Sequence, residues 1–221
     1  MRLEALRVEV LATAHQMVAD GLAHGAQGNI SALDPDSGLI AVTPSALEYA
    51  AMQVEDIVVV DKSGRVVEGR WRPTSETPMH TIFYRERPDV AAVVHTHSPY
   101  ATTFAIAHEP IPMVLSEAAL CLGGTVPLAP YGRPGTEELA RTVLQTMQGG
   151  ASALLANHGL ITVGASLKQA YAATIAAEQM ARQVIMARSM GTQPVALPGE
   201  EVKALRQHYL RHYRVTPLNQ A

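Results

Sequence analysis

Apolar residues along the chain fall into two spacings, and the order in which those spacings occur predicts the elements. Leu3, Leu6, Val10, Met17, Val18 and Leu22 recur at helical spacing, which predicts an amphipathic opening helix that stops between Gly21 and Gly25. The glycine-rich stretch 25–31 then leads into short strands around 30–33 and 39–43, joined by the turn Asp34-Pro35-Asp36-Ser37-Gly38. A second pair at 57–60 and 65–68, about Lys62-Ser63-Gly64, repeats the hairpin pattern. Thr74-Ser75-Glu76-Thr77-Pro78 supplies a hydroxyl cap and a first-turn proline for a helix over 79–87, which Pro88 stops.

The second half alternates strand and helix more plainly. An apolar, β-branched run predicts a buried strand over 90–97, followed by helices at 99–107 and near 114–121. The Gly123-Gly124 turn precedes a strand at 125–128, a helix at 135–147 and a strand at 152–156. Asn157-His158-Gly159 makes a tight corner, β structure resumes at 160–163, and an alanine-rich helix runs over 167–189 with Glu178 and Arg182 at i,i+4. The tail at 199–213 is expected to be helical too. Hairpins interleaved with helices, in place of strict βαβ units, predict an α/β fold of three layers. Its centre is a mixed, mainly antiparallel sheet with helices on both faces.

Length and composition narrow this picture. The expectation for 221 residues is a single domain spanning 1–221. Charged residues make up only 17% against 48% apolar, which suggests that part of the surface is used in oligomer contacts. A net charge of −3 argues against a nucleic-acid or anionic-membrane partner. No apolar run approaches the roughly 20 residues of a membrane span, and Met1-Arg2-Leu3-Glu4 opens no secretory signal, so the expected location is cytoplasmic. The single cysteine, Cys121, excludes an internal disulfide and multi-cysteine metal clusters, and among Ala118, Ala119 and Leu120 it reads as a packed, inert thiol.

The candidate chemistry lies at strand ends. His95 and His97 leave the same face of a strand about 7 Å apart, a spacing that one metal ion or one hydrogen-bonded histidine pair accounts for equally. A third imidazole and a carboxylate separate the two readings. His158 at the corner offers the imidazole, with Gly159 beside it admitting a close neighbour. Glu76 offers the carboxylate, read either as a capping glutamate or as a group that leaves the metal to move a proton. Gly28-Asn29, Thr43-Pro44-Ser45 and Thr74-Ser75 are turns suited to anion capture. Lys62, Lys168 and Lys203 occupy exposed-looking positions, so Schiff-base chemistry has no candidate lysine. His15 and His24 have no partners nearby in sequence, and His208 and His212, among Arg206, Arg211 and Arg214, read as a solvated helix face.

Taken in order, Gly28-Asn29-Ile30-Ser31, Thr43-Pro44-Ser45, Ser75-Glu76, His95-Thr96-His97, Ala129-Pro130-Tyr131 and Asn157-His158-Gly159-Leu160 resemble the class II aldolase and adducin-head family, on its fuculose-phosphate-aldolase side. The resemblance implies zinc held by His95, His97 and His158, with Glu76 at the metal as catalytic acid/base. It implies substrate phosphate among Gly28, Asn29, Ser45, Ala46, Thr74 and Ser75. It also implies a functional tyrosine near the C-terminus, Tyr209 or Tyr213, and a homotetramer whose tail completes a neighbour's site. Two positions depart from the family pattern: Ala46 stands where glycine is usual, and Ser116, beside Glu117, stands where an interface tyrosine is usual. The implied reaction is cleavage of a phosphorylated ketose, of the L-fuculose 1-phosphate kind, to dihydroxyacetone phosphate and a small aldehyde. Epimerase, dehydratase and decarboxylase chemistry on the same metal site remain open, as does a non-catalytic interaction module.

Overall fold

The computed structural model describes residues 1–212. The short β-branched runs build eight strands: β1 (Asn29–Leu33), β2 (Ile40–Val42), β3 (Val58–Val60), β4 (Val66–Glu68), β5 (Ala92–Thr96), β6 (Leu128–Ala129), β7 (Ser152–Leu155) and β8 (Gly159–Gly164). They form one sheet in the order β4-β3-β2-β1-β5-β8-β7-β6. Each pairing is antiparallel except β6 with β7. The helices are α1 (Glu4–Ala19), α2 (Thr77–Glu86), α3 (Pro99–Ala107), α4 (Ser116–Leu122), α5 (Glu137–Met147), α6 (Leu167–Ser189) and α7 (Gly199–His212).

Alternation along β5 shows how the layers form. Val93 joins Ile40, Val42, Val58 and Val60 beneath Ile82 and Phe83 of α2 and Leu139 and Val143 of α5. Ala92 and Val94 point the other way, onto Val10, Ala14 and Met17 of α1 and Ala170 of α6. Further along that second face, α3, α4 and α7 gather around Ala173, Ala177, Met180 and Val184 of α6. The sheet is thus covered on both sides, as the patterning predicts.

Two elements differ from expectation. The run 125–128 yields only a two-residue strand, because Pro127 has no N–H for a ladder; Val126 instead bridges to Ile111, and β6 begins at Leu128. The opening helix ends at Ala19, before Leu22, which is buried from the following loop. Its inward face is led by Arg7, 1% exposed, whose guanidinium reaches Glu68 of β4 at 2.7 Å. The pairing neutralises a cation that the apolar pattern alone would have left outside.

Candidate active site

His95 and His97 continue the row begun by Val93, so both face the α2 side of the sheet. Antiparallel pairing of Thr96 with Leu160 then brings His158, just ahead of β8, against them. The three ring centroids lie 4.7 to 5.0 Å apart. One nitrogen from each falls within 4.8 Å of the others. Close approach depends on Gly159, where a Cβ would run into the Thr96 carbonyl oxygen and sit 3.1 Å from the His97 ring. Asn157 turns the corner with φ 55°, and its side-chain oxygen accepts a hydrogen bond from His108 Nε2 at 2.7 Å.

Glu76 is the residue before α2, yet its side chain makes no capping hydrogen bond. It turns inward and is 5% exposed. Oε2 lies 3.1 Å from His95 Nε2 and accepts a hydrogen bond from Asn29 Nδ2 at 2.9 Å. Oε1 is 3.7 Å from His158 Nε2 and has no hydrogen-bond partner, and His158 Nδ1 is likewise buried without one. The capping reading of Glu76 is therefore replaced by one in which the carboxylate faces the imidazoles. Pro78, in the first turn, preserves the helix start without a side-chain cap.

The electrostatics follow from this enclosure. Burial works to raise the Glu76 pKa, but the charge and hydrogen bond of His95, with His158 and Asn29, outweigh it and hold the carboxyl well below its usual range. Burial and the neighbouring His95 push His97 and His158 down to about 4, so both are neutral at physiological pH. Burial opposes a charge on His95 too, but Glu76 overcomes it and raises that pKa.

The donor set fits a divalent cation. His95 Nδ1 donates to the Leu160 carbonyl at 2.9 Å, so Nε2 is the nitrogen turned to the site, hydrogen-bonded to Glu76 when it is protonated and a ligand once a cation displaces that proton. His95 Nε2 is also only 3.1 Å from His97 Nε2. The neutral His97 and His158 and the Glu76 carboxylate converge on one point, where a proton on His95 Nε2 or a cation relieves their mutual repulsion. With a cation in place of the proton that Glu76 favours on His95, three imidazole nitrogens beside a carboxylate oxygen free of partners are what an open catalytic metal site offers.

The turns expected to hold an anion are linked through their backbones. Thr43 N–H donates to the Ile30 carbonyl, Thr74 N–H donates to the Thr43 carbonyl, and Ser45 N–H donates to the Arg72 carbonyl. These bonds tie the turn at 43–45 to β1 and to the segment 72–74, while Thr74 and Ser75 directly precede Glu76 and Asn29 hydrogen-bonds it. Ser45 and Ser75 are exposed while Thr74 and Asn29 are buried. Ala46 adopts φ 60°, in the left-handed region that favours glycine.

Other candidates stand apart. Tyr209 lies on α7 with the Arg206 guanidinium 5.7 Å from its ring centre. Arg206 and Leu210 of the same helix line a cavity with Val90, Ser152 and Gly164, at the ends of β5, β7 and β8 away from the histidines. Within one chain, therefore, Tyr209 does not meet the triad. Tyr213 falls outside the described residues. Ser116 and Glu117 are exposed in the first turn of α4, and Lys62, Lys168 and Lys203 are exposed. Cys121 is half-buried, and burial raises its pKa. What the sequence reading missed is a row of buried polar groups behind Glu76: Ser31, His80 and Tyr84. The signal was the i, i+4, i+8 placement of Glu76, His80 and Tyr84 on one face of α2.

Comparison with known proteins places this geometry. Residues 8–185 match the model of the Class II Aldolase and Adducin N-terminal domain. The chain belongs to this family. It is 39% identical to 5-deoxy-D-ribulose 1-phosphate aldolase of Bacillus thuringiensis serovar kurstaki, over 95% of this chain and 97% of that protein. It is 36% identical to 5-methylthioribulose-1-phosphate/5-deoxyribulose-1-phosphate aldolase of Rhodospirillum rubrum, over 93% and 91%. Among solved structures, an L-fuculose 1-phosphate aldolase superposes with a TM-score of 0.89 at 35% identity, covering 93% of this chain and 96% of that one. The class II aldolase fold expected from the sequence is confirmed, and the chain is an enzyme of that metal-dependent lyase class. The relatives also correct the sugar expectation: the fuculose-like assignment is too narrow, since 5-deoxyribulose phosphate aldolases match over nearly the whole chain. Among the described residues no helix is long and apolar enough to cross a membrane.

Proposed function

We propose that this protein cleaves a ketose 1-phosphate reversibly to dihydroxyacetone phosphate and a small aldehyde, with a 5-deoxypentulose 1-phosphate preferred over L-fuculose 1-phosphate. The observation that carries the reaction is the Glu76 carboxylate, buried and ionised, with one oxygen on His95 and Asn29 and the other without a partner beside His158. The sugar preference rests on the relatives that match over nearly all of both chains.

His95, His97 and His158 would hold the ion, and zinc suits three neutral imidazoles with an open position. When bound, such an ion supplies Lewis-acid polarisation of the substrate ketone. Gly28, Ser45, Ala46, Thr74 and Ser75 receive the phosphate, with Asn29 contributing through its main chain because its side-chain amide is taken up by Glu76 and His80, and together they fix the carbon chain against the histidines. Glu76 is placed to take and return the proton on the carbon that becomes nucleophilic in the synthetic direction, with its free oxygen Oε1 as the working atom. This oxygen is buried away from bulk solvent. The protein is cytoplasmic and a homotetramer in this reading, and residues of a neighbouring tail, with Tyr209 or Tyr213, complete each site.

The test compares wild type with Glu76→Gln on a panel of ketose 1- and 5-phosphates, scored for aldehyde, epimer, dehydration product and carbon dioxide. Wild type should release aldehyde, and exchange a C–H proton of dihydroxyacetone phosphate with deuterated solvent in the absence of aldehyde. Glu76→Gln should keep its metal and lose about 10² to 10⁴ in rate. Near-normal cleavage by Glu76→Gln would sink the proton role. Recovery of an epimeric pentulose 5-phosphate in place of aldehyde would move the assignment to a 4-epimerase.

A further inference from the structure

Behind Glu76 runs a continuous chain of buried hydrogen bonds that the proposed reaction does not itself use. Asn29 Nδ2 donates to Glu76 Oε2 at 2.9 Å, and Asn29 Oδ1 lies 2.5 Å from His80 Nε2. His80 Nδ1 is 2.6 Å from Ser31 Oγ, which is 2.6 Å from the Tyr84 hydroxyl. Asn29, Ser31, His80 and Tyr84 are all 6% exposed or less. At this burial between β1 and α2, a group whose partner is lost bears its desolvation cost uncompensated.

The direction of every link follows from one end. An ionised carboxylate only accepts, so the Asn29 NH₂ must face Glu76 and the amide oxygen must face His80. His80 Nε2 must then carry a hydrogen. Burial pushes the His80 pKa down to about 3, so the ring holds one hydrogen only, and Nδ1 is left as an acceptor. Ser31 donates to it, and the Tyr84 hydroxyl donates to Ser31. Reversing the Asn29 amide would set two acceptors, the amide oxygen and the carboxylate, against each other, and two donors, the NH₂ and Nε2–H, against each other.

We propose that His80 is a positioning residue, which acts through Asn29 to hold the Glu76 carboxylate in the orientation that leaves Oε1 free for the substrate proton. It touches neither substrate nor ion. The inference rests on the reading of Glu76 as the proton carrier. The nitrogen that locks Asn29 belongs to α2, one turn beyond Glu76, which immediately precedes that helix, so base and lock move together.

The test uses full-length, metal-loaded protein with His80→Leu and His80→Gln. Leucine removes both ring nitrogens, whereas glutamine restores one donor and one acceptor on a flexible chain. In His80→Leu, metal content and KM should stay within about threefold of wild type while kcat falls about 10- to 100-fold, the scale expected when a buried charge-linked hydrogen bond is lost. His80→Gln should recover most of that loss. Two readouts need no turnover. Nitrogen-15 NMR should show His80 protonated at Nε2 and bare at Nδ1, and the Asn29 side-chain NH₂ should be protected from solvent exchange in wild type and His80→Gln but not in His80→Leu. A bare Nε2, unchanged amide protection in His80→Leu, or equal damage in both variants with metal lost would overturn the proposal. If wild type cleaves no ketose phosphate, the reaction assignment fails, and the tautomer and amide protection still decide whether His80 locks Asn29.

Discussion

Gly28→Ala separates the cost of a backbone conformation from the cost of a collision, and ties both to the metal ligands. Gly28 has φ +76°, and a Cβ there would sit 2.6 Å from the His95 carbonyl oxygen, about 0.8 Å inside ordinary contact at 3.4 Å. Gly21 is the internal control: φ +70° with nothing within 4 Å of its Cβ position. A non-glycine residue in the left-handed region costs about 1–2 kcal/mol, offset by about 0.4–1 kcal/mol from a less flexible unfolded chain. Gly21→Ala should therefore lose about 1 kcal/mol. Gly28→Ala should add an overpacking penalty of about 1–3 kcal/mol, for a total of about 2–4 kcal/mol. The neighbour that must yield is backbone, in β5, and Tyr49 restrains the other side by donating to the Gly28 carbonyl at 2.7 Å. Because that β5 backbone carries the His95 imidazole, divalent-metal affinity should also fall, by about 10- to 100-fold on the scale seen when ligand supports are removed. Urea titration of metal-free protein measures the first effect, and chelator competition the second. Equal destabilisation by the two substitutions, or unchanged metal affinity in Gly28→Ala, would refute the argument that Gly28 is kept for the His95 carbonyl.

Other expectations test the layers around the site. Ala46→Gly should stabilise the protein by up to about 1 kcal/mol in thermal or urea unfolding, because relief of φ 60° slightly exceeds the entropy gained by the unfolded glycine. His80 is neutral in the fold with a pKa of about 3 but takes a proton near 6.5 when unfolded. Its contribution is whole above pH 6.5 and drains away by up to about 1.4 kcal/mol per pH unit as pH falls towards 3; the acid limb of stability should be shallower in His80→Gln. Phe83→Ala, at a side chain with no exposure beneath α2, should cost about 3–5 kcal/mol in denaturant midpoint experiments while leaving the metal ligands in place.

Local chemistry determined most of the elements. Period-two runs and turn residues located β1 to β5, and the alanine-rich stretch located α6 from Leu167 to Ser189, because these signals depend on a residue's immediate neighbours. The triad was legible for the same reason in part. His-x-His needs only strand alternation, and the corner at Asn157-His158-Gly159 announces itself as a turn. What brings the two together is the Thr96–Leu160 register, a pairing across more than sixty residues that no local pattern encodes. Tertiary structure alone also decided what Glu76 does, since a carboxylate before a helix is an ordinary cap until packing turns it towards His95. It decided that Arg7 of α1 is interior, because Glu68 comes from β4, 61 residues away along the chain, to meet it. It decided that Asn29, Ser31, His80 and Tyr84 form one chain, because β1 and α2 meet only when α2 packs onto the face of the sheet. Polar residues carry no mark in sequence of whether they will face water or one another. That depends on which elements cover them, and the low dielectric of the interior then makes each surviving hydrogen bond matter.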